Sequence, residues 1–445
     1  MNHTTNHTTN HTRRTFLAAA GTAAIATLLP GCSSVLRAPN TSAAGFGTSA
    51  TGTVRVWCRS ATQTGLTALV EAFNASQDRL VVELTPVLDG QYVTKLATAI
   101  RGRQVPDLVD IDDINSMLFI YRDAFTDLTD LIGGLDFADQ LSPGHLGLGT
   151  KNGRQYGVPY LADNSLLWCN TELFDRANRD VDEASGSFDG LLDAAHAIRK
   201  LGDDVYAWSF PGNSPGALAF VVQPMVWAAD TDLIHGELGA QSGNIVGNDA
   251  VQSMFEFHRE LWVDDLVPRA NFADDASRWG SDFRAGTVGM LPSNYSVVVS
   301  QSDADFQKKV TPRLLTGPTG GTAFFDGGDN MCIPRGAQKA SGAWEFVRFA
   351  LDLAQQTTLP DGGYTPVRAD AATPEFRQKY PLGVLPLDNI EKGFAPTTLS
   401  YNLLYNQSDG PWLAMFRRAV FDGEIKAAMT EAQSSYDMIL EQGQA

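Results

Sequence analysis

Gly212-Asn213-Ser214-Pro215-Gly216 carries the strongest signal for covalent chemistry in the chain. It matches the GxSxG pattern, in which a serine stands exposed on a sharp turn, with a strand predicted before it and a helix after. His235 and His258 follow and would supply a general base. The chemistry fails at the next atom. The oxyanion hole of such an elbow uses the N–H of the residue after the serine, and Pro215 has none. Losing such a donor costs about a hundred- to thousandfold in rate. No HGGG-like loop precedes the segment, so a turn between strand and helix is the better reading of these residues. A second covalent reading, an exported glycosidase, pairs two loop carboxylates as acid and base; their separation decides that chemistry, and sequence spacing does not supply it. His3, His7 and His11 stand four apart, as metal ligands on one helix face would. The Asn and Thr between them are poor helix formers, so a polar leader is expected, with no metal and no cofactor.

The elements that position such residues begin after an export signal. Arg13 and Arg14 precede an uncharged run, Ala18 to Leu29, and then Pro30-Gly31-Cys32. A basic start, a short apolar stretch and small residues mark residues 1–31 as an export signal, and the paired arginines suggest the twin-arginine route. The apolar run is too short to cross a bilayer core, which takes about 20 residues. A small residue followed by Cys32 is also a lipoprotein pattern, which predicts lipidation of Cys32 and anchoring at the outer face of the cell membrane. Residues 32–52, rich in Ser, Thr, Ala and Gly, are expected to be a flexible tether.

The remaining body is long enough for two lobes. The chain has 51 acidic against 33 basic residues, and such a surface repels phosphate backbones, so no nucleic-acid partner is expected. Cys58, Cys169 and Cys332 lie in apolar, strand-like surroundings and match no zinc spacing. Buried free thiols are favoured, with one disulfide plus a free thiol the alternative. Val54–Cys58, Leu80–Pro86 and Leu108–Ile111 read as strands, with helices at Thr64–Asn74 and Tyr92–Arg101 between them. That alternation implies a parallel sheet covered by helices, with ligands beyond the carboxyl ends of its strands. Further on, Ser165–Asn170 and Val205–Phe210 read as strands. Helices are expected at Phe188–Leu201, Ala217–Ala228, Ala250–Val263, Trp344–Leu353 and Trp412–Phe421.

Within that frame, VRVWCRSATQTGLTALVEAFNAS, GQYVTKLATAIRGRQVPDLVDIDD and NGRQYGVPYLADNSLLWCNTELF resemble segments of the extracytoplasmic solute-binding proteins of ABC importers, in the family that takes sugars and glycerol-phosphate esters. FRAGTVGMLPSN at 283–294, FFDGGDNMCIP at 324–334 and GGYTPVR at 362–368 extend the resemblance from residue 53 to the C-terminus. It implies two α/β lobes, each a mostly parallel sheet flanked by helices, hinged and closing on a solute. The first lobe would be 53–161 with 316–357 and the second 162–315 with 358–445. It also implies a non-catalytic monomer that hands its solute to the transmembrane subunits of an ABC permease.

A sugar offers hydroxyls at its edge and C–H faces above and below, so its pocket needs acids, amides and aromatic rings. Asp112 and Asp113 follow a predicted strand at the ligand edge, and Asp163 and Asn164 lie in the loop before another. Taken alone, each acid is better explained as a helix cap or a solvated turn. In the family, polar residues at matching places contact ligand, and a tyrosine matches Tyr92. Tyr295 matches a stacking position, and Tyr364 lies in a loop where the family places a ligand-contacting tyrosine. Trp412 starts a helix, Gly327 and Gly328 would let backbone approach a ligand beside Asp329, and Asn213 follows a predicted strand. The rival within the family is a glycerophosphodiester. Arg417 and Arg418 follow Trp412, yet the position matching the phosphate-binding arginine of that branch is Ala414, which leaves Arg368 as a stand-in and a carbohydrate ahead.

Overall fold

The computed structural model describes residue 46 and residues 49–444. The export signal at 1–31, Cys32 and most of the predicted tether lie outside the described residues. The body begins slightly before residue 53. Ala50 N–H donates to Glu345 Oε1 at 3.3 Å, Ala50 O accepts from Arg79 at 3.0 Å, and Gly52 already pairs with Leu80.

Alternation builds the first sheet. In Gly52–Arg59 every second side chain, Val54, Val56 and Cys58, is buried. This strand pairs in parallel with Leu80–Val87 on one side and Leu108–Asp112 on the other. Helix Gln63–Ser76 covers it with Leu66, Leu69, Val70 and Phe73, the spacing of one helical face. The sheet is completed by Gly328–Cys332, antiparallel to both Leu108–Asp112 and Val158–Ala162. No element is predicted over Val158–Ala162, and over Gly328–Cys332 the sequence shows only the strand-like surroundings of Cys332. Val158–Ala162 is buried at every position and holds Pro159, so it shows no period of two.

The second sheet has seven strands and is mixed where a mostly parallel one is expected. Ser165–Asn170 lies antiparallel to Val288–Asn294 and Val310–Arg313, and only Val288–Asn294 with Tyr206–Trp208 and Thr322–Phe325 with Gly393–Phe394 pair in parallel. Its helices are close to expectation: Phe188–Arg199, Pro215–Trp227 and Asp249–Val263. The expected helix from Trp412 runs Pro411–Arg417, passes through one wider turn at Arg418–Asp422 and ends at Gly423, whose φ of 80° suits a residue without a Cβ.

The chain passes from the first sheet to the second through Asp163 and Asn164, and back through Asp326 and Gly327. Leu315–Thr316 and Thr322–Phe325 pair within the second sheet, so the return lies at Asp326–Gly327 and not at residue 316. Leu359 and Val367 pack in the first core, whereas Leu382 and Leu385 pack against the second, which puts a third passage between them rather than at 357. Cys58, Cys169 and Cys332 are free and buried. Burial, reinforced by Asp110, Asp329 and Asp89, pushes the Cys58 thiol up to about 12, and burial does the same to Cys169. Among the described residues no helix is long and apolar enough to cross a membrane.

Candidate functional site

The carboxyl ends of the parallel strands and the crossing segments meet at a cleft of about 460 Å³. One wall comes from the first sheet. Arg59 ends strand Gly52–Arg59, Asp112 ends Leu108–Asp112, and Asp113 opens the helix that follows. Asp329, Thr62 and Tyr364 complete this wall. The opposite wall comes from the second sheet and its helices: Phe220, Asn294, Ser296, Ser300, Gln301 and Phe325. Asp163 and Gly327 line it from the crossing segments themselves.

Arg59 organises the first wall. Its Nε donates to Asp89 at 3.2 Å, and its Nη1 lies 3.0 Å from Asp112 Oδ2 and 3.3 Å from Asp329 Oδ1. Beneath it Asp110, fully buried, accepts from Arg59 N–H at 3.1 Å, from Tyr160 OH at 3.0 Å and from Thr62 Oγ1. Burial pushes the carboxyls of Asp110, Asp113 and Asp329 above the usual carboxylate range. At Asp113 the neighbouring Asp112 charge adds to this, and at Asp329 the Arg59 guanidinium opposes it. Asp112 also caps the helix after it, accepting from Asn115 N–H at 3.1 Å.

Asp163 joins the walls. It leaves the first sheet yet accepts from Ser296 Oγ at 2.6 Å, Ser296 N–H at 3.1 Å and Asn294 Nδ2 at 3.1 Å, all on the second. Burial raises its carboxyl, and these hydrogen bonds oppose the rise. Tyr364 donates its hydroxyl to Ala61 O at 2.7 Å. Gly328 is dictated by packing: a Cβ there would stand 2.2 Å from Leu161 O, across the strand pair beside the cleft. Phe220 and Phe325 meet edge to face at 4.9 Å.

Of the residues singled out from sequence, the structure brings Asp112, Asp113, Asp163, Gly327, Gly328, Asp329 and Tyr364 to this cleft. Five others are elsewhere. Tyr92 is 2% exposed and points into the first core, donating to Trp57 O at 3.2 Å. Asn164 is buried behind the cleft, between Asp326 and Thr365. Tyr295 packs against Trp168 in the second core. Trp412 is fully buried against Tyr405 and Phe416, its Nε1 donating to Pro215 O at 3.1 Å. Asn213 sits on the surface by Arg417. Large rings at helix starts and strand ends serve burial here, the commoner use of such residues. Ser214 has no partner in either histidine: His235 bonds Ser242 and His258 bonds Met254 O.

Sequence reading missed Arg59, although it ends a strand on the same edge as Asp112, the very signal that picked out Asp112. Phe220 and Phe325 had no such signal, because which face of a buried helix or strand meets a cleft depends on the second sheet.

Two α/β units joined by crossing segments, with a polar cleft between, define a two-lobed binding protein. Residues 68–384 match the family described as bacterial extracellular solute-binding protein, and the chain belongs to that family, which places it outside the cytoplasm. It is 23% identical over 406 residues to the sn-glycerol-3-phosphate-binding periplasmic protein UgpB of Rhizobium meliloti (strain 1021), covering 85% of this chain and 89% of that one. In fold it is similar to the sugar-binding protein MalE of Xanthomonas citri, with a TM-score of 0.76, 19% identity and coverage of 88% and 98% of the two chains. The cyclic alpha-maltosyl-1,6-maltose binding protein of Arthrobacter globiformis has a TM-score of 0.73, 20% identity and coverage of 88% and 99%.

Proposed function

We propose that this chain is the extracytoplasmic receptor of an ABC importer and captures an uncharged polyhydroxylated solute, a sugar, in the cleft between its lobes. The observation that carries the choice of solute is the charge of the lining. Four carboxyls, Asp112, Asp113, Asp163 and Asp329, face one cation, Arg59, which is already engaged by Asp89, Asp112 and Asp329. Hydroxyls donate well to such acceptors, and the Phe220, Phe325 and Tyr364 rings offer apolar faces. A phosphate would find that one cation already engaged by carboxyls and would meet further carboxyl oxygens beside it.

The second reading, a glycerol-phosphate ester, is favoured by the Rhizobium relative. The cations it would use are occupied away from the lining. Arg417 donates to Gly212 O and Phe272 O, Arg418 pairs with Glu424 and Glu431, and Arg368 pairs with Asp370. That arrangement supports the sugar.

The remaining parts of the reading follow from the sequence and the family. The first lobe comprises the body up to Ala162 and the stretch that returns at Gly328, and the second comprises the rest. The protein acts as a monomer without catalysis, is exported by its signal, is lipidated at Cys32 and delivers its solute to permease subunits. Closure on solute shifts the hinge equilibrium, and the permease reads the closed form. A thermal-shift screen of sugars and sn-glycerol 3-phosphate against the mature chain tests the reading, since a ligand at a thousand times its Kd stabilises by about 4 kcal/mol. Asp163→Ala should abolish the shift given by the responding sugar. An undiminished shift in that variant would move the solute out of this cleft.

A further inference from the structure

Each of the three crossing segments presents one residue to the cleft and a sequence neighbour to a buried chain of hydrogen bonds behind it. Asp163, Gly327 and Tyr364 line the cleft. Asn164, Asp326 and Thr365 stand next to them in the sequence, and none of these three is more than 2% exposed. Asn164 is the middle of the chain. Its Nδ2 donates to Asp326 Oδ1 at 2.6 Å, and its Oδ1 accepts from Thr365 Oγ1 at 2.7 Å. An amide turned the other way would set oxygen against oxygen at Asp326. Backbone bonds run alongside at both joints. Asp163 N–H donates to Gly327 O at 2.7 Å between the first and second crossings, and Ala162 and Thr365 exchange bonds of 2.9 and 2.8 Å between the first and third.

The Thr365 hydroxyl has a second acceptor within reach, Ala162 O at 3.1 Å, but that carbonyl already takes the Thr365 N–H. Asn164 Oδ1 has no other donor among the described residues. The ends of the chain are anchored in turn. Asp326 Oδ2 accepts from Ser142 Oγ, whose own N–H donates to Val367 O at 2.9 Å, and Asp326 N–H donates to Phe394 O at 2.8 Å. On the cleft side, Tyr364 bonds Ala61 O of the first lobe, whereas Asp163 bonds Asn294 and Ser296 of the second. Of the three buried residues, Asn164 alone has a side chain hydrogen-bonded to both other crossings. Cutting either bond would leave a buried polar atom unpaired, so the chain stands or loosens as a unit.

We propose that Asn164 is a positioning residue that yokes the three crossing segments, so that Asp163, Gly327 and Tyr364 form one floor under the solute and shift together as the lobes close. The acid bonded to the second wall and the tyrosine bonded to the first then meet the solute at a spacing set before it arrives. The inference rests on the cleft between the sheets being the solute site, and it places Asn164 behind the solute rather than against it.

The test is amide hydrogen exchange of the full mature chain without solute, in the wild type and in Thr365→Val, which keeps the side chain's shape and removes its hydroxyl. Relative to helix Asp249–Val263, protection should fall severalfold at Ala162, beside the lost hydroxyl. It should fall as far at Asp163, whose N–H bonds the second crossing, with which Thr365 makes no hydrogen bond among the described residues. Thr365→Ser keeps the hydroxyl and should keep wild-type protection at Asp163. Unchanged protection at Asp163 in Thr365→Val, or a loss in Thr365→Ser equal to that in Thr365→Val, overturns the proposal. The wild type supplies a check that needs no variant: the Asn164 side-chain amide protons should exchange as slowly as the Asp163 N–H, and fast exchange of those protons also overturns the proposal. Because no solute is present, failure here leaves the sugar screen intact, and failure of the screen leaves this result readable.

Discussion

The two walls of the cleft are built from different materials. The first-sheet wall is ionic: Arg59 is held by three carboxylates, with Asp110 buried beneath them. The second-sheet wall is neutral, with Asn294, Ser296, Ser300 and Gln301 beside the Phe220–Phe325 ring pair. An ionic network holds its own geometry before any solute arrives, because each member is fixed by several partners. Hydroxyls, amides and rings contribute only once they are brought against a solute. The first wall thus serves as the fixed template and the second as the face that closes on it, with Asp163 bonded across the join.

The largest expected effect breaks the fixed wall. Arg59→Met would leave Asp89, Asp112 and Asp329 facing one another without their cation, two of them partly or fully buried, and should lower the unfolding free energy by about 3–5 kcal/mol in urea titration. A loss below about 1 kcal/mol would mean that the network is not what fixes this wall.

Acid sets the two halves apart in a second way. His258 lies in the second core among Trp208, Phe210, Phe257 and Phe416, and burial lowers its pKa from 6.5 to about 4. Its folded pKa lies below its unfolded one, so its contribution is present above about pH 6.5 and is lost as pH falls towards 4. The full loss is about 3 kcal/mol. Equilibrium unfolding at pH 7 and pH 4.5 should show it, and His258→Asn should flatten that part of the profile.

The smallest effect concerns the neutral wall. Phe220→Ala should weaken solute binding by about tenfold through lost stacking while leaving the urea midpoint nearly unchanged, because the ring is only partly buried. A change in stability without a change in affinity would reverse the roles given to the two walls.

Much of the first lobe could be read from the sequence, since its strands alternate or run apolar between amphipathic helices and lie close together along the chain. Asp112, Asp113 and Asp163 were legible for that reason, as residues at strand ends and in a connecting loop. The place of strand Gly328–Cys332 was not, although the surroundings of Cys332 read as strand-like, because it enters the first sheet from far along the chain and its partners are known only once the two sheets are assembled. The same non-local assembly hid Phe220 and Phe325. It also turned Tyr92, Tyr295 and Trp412 inward, where large rings contribute more by burial than at a polar rim.

The central claim is that an acid-lined cleft takes an uncharged polyol. Titration calorimetry of the mature chain with maltose and other neutral sugars beside sn-glycerol 3-phosphate, at low and high salt, tests it most directly. The account predicts binding of a neutral sugar with an affinity insensitive to salt and no measurable heat with the phosphate ester. Tight binding of sn-glycerol 3-phosphate that weakens as salt is added would contradict it.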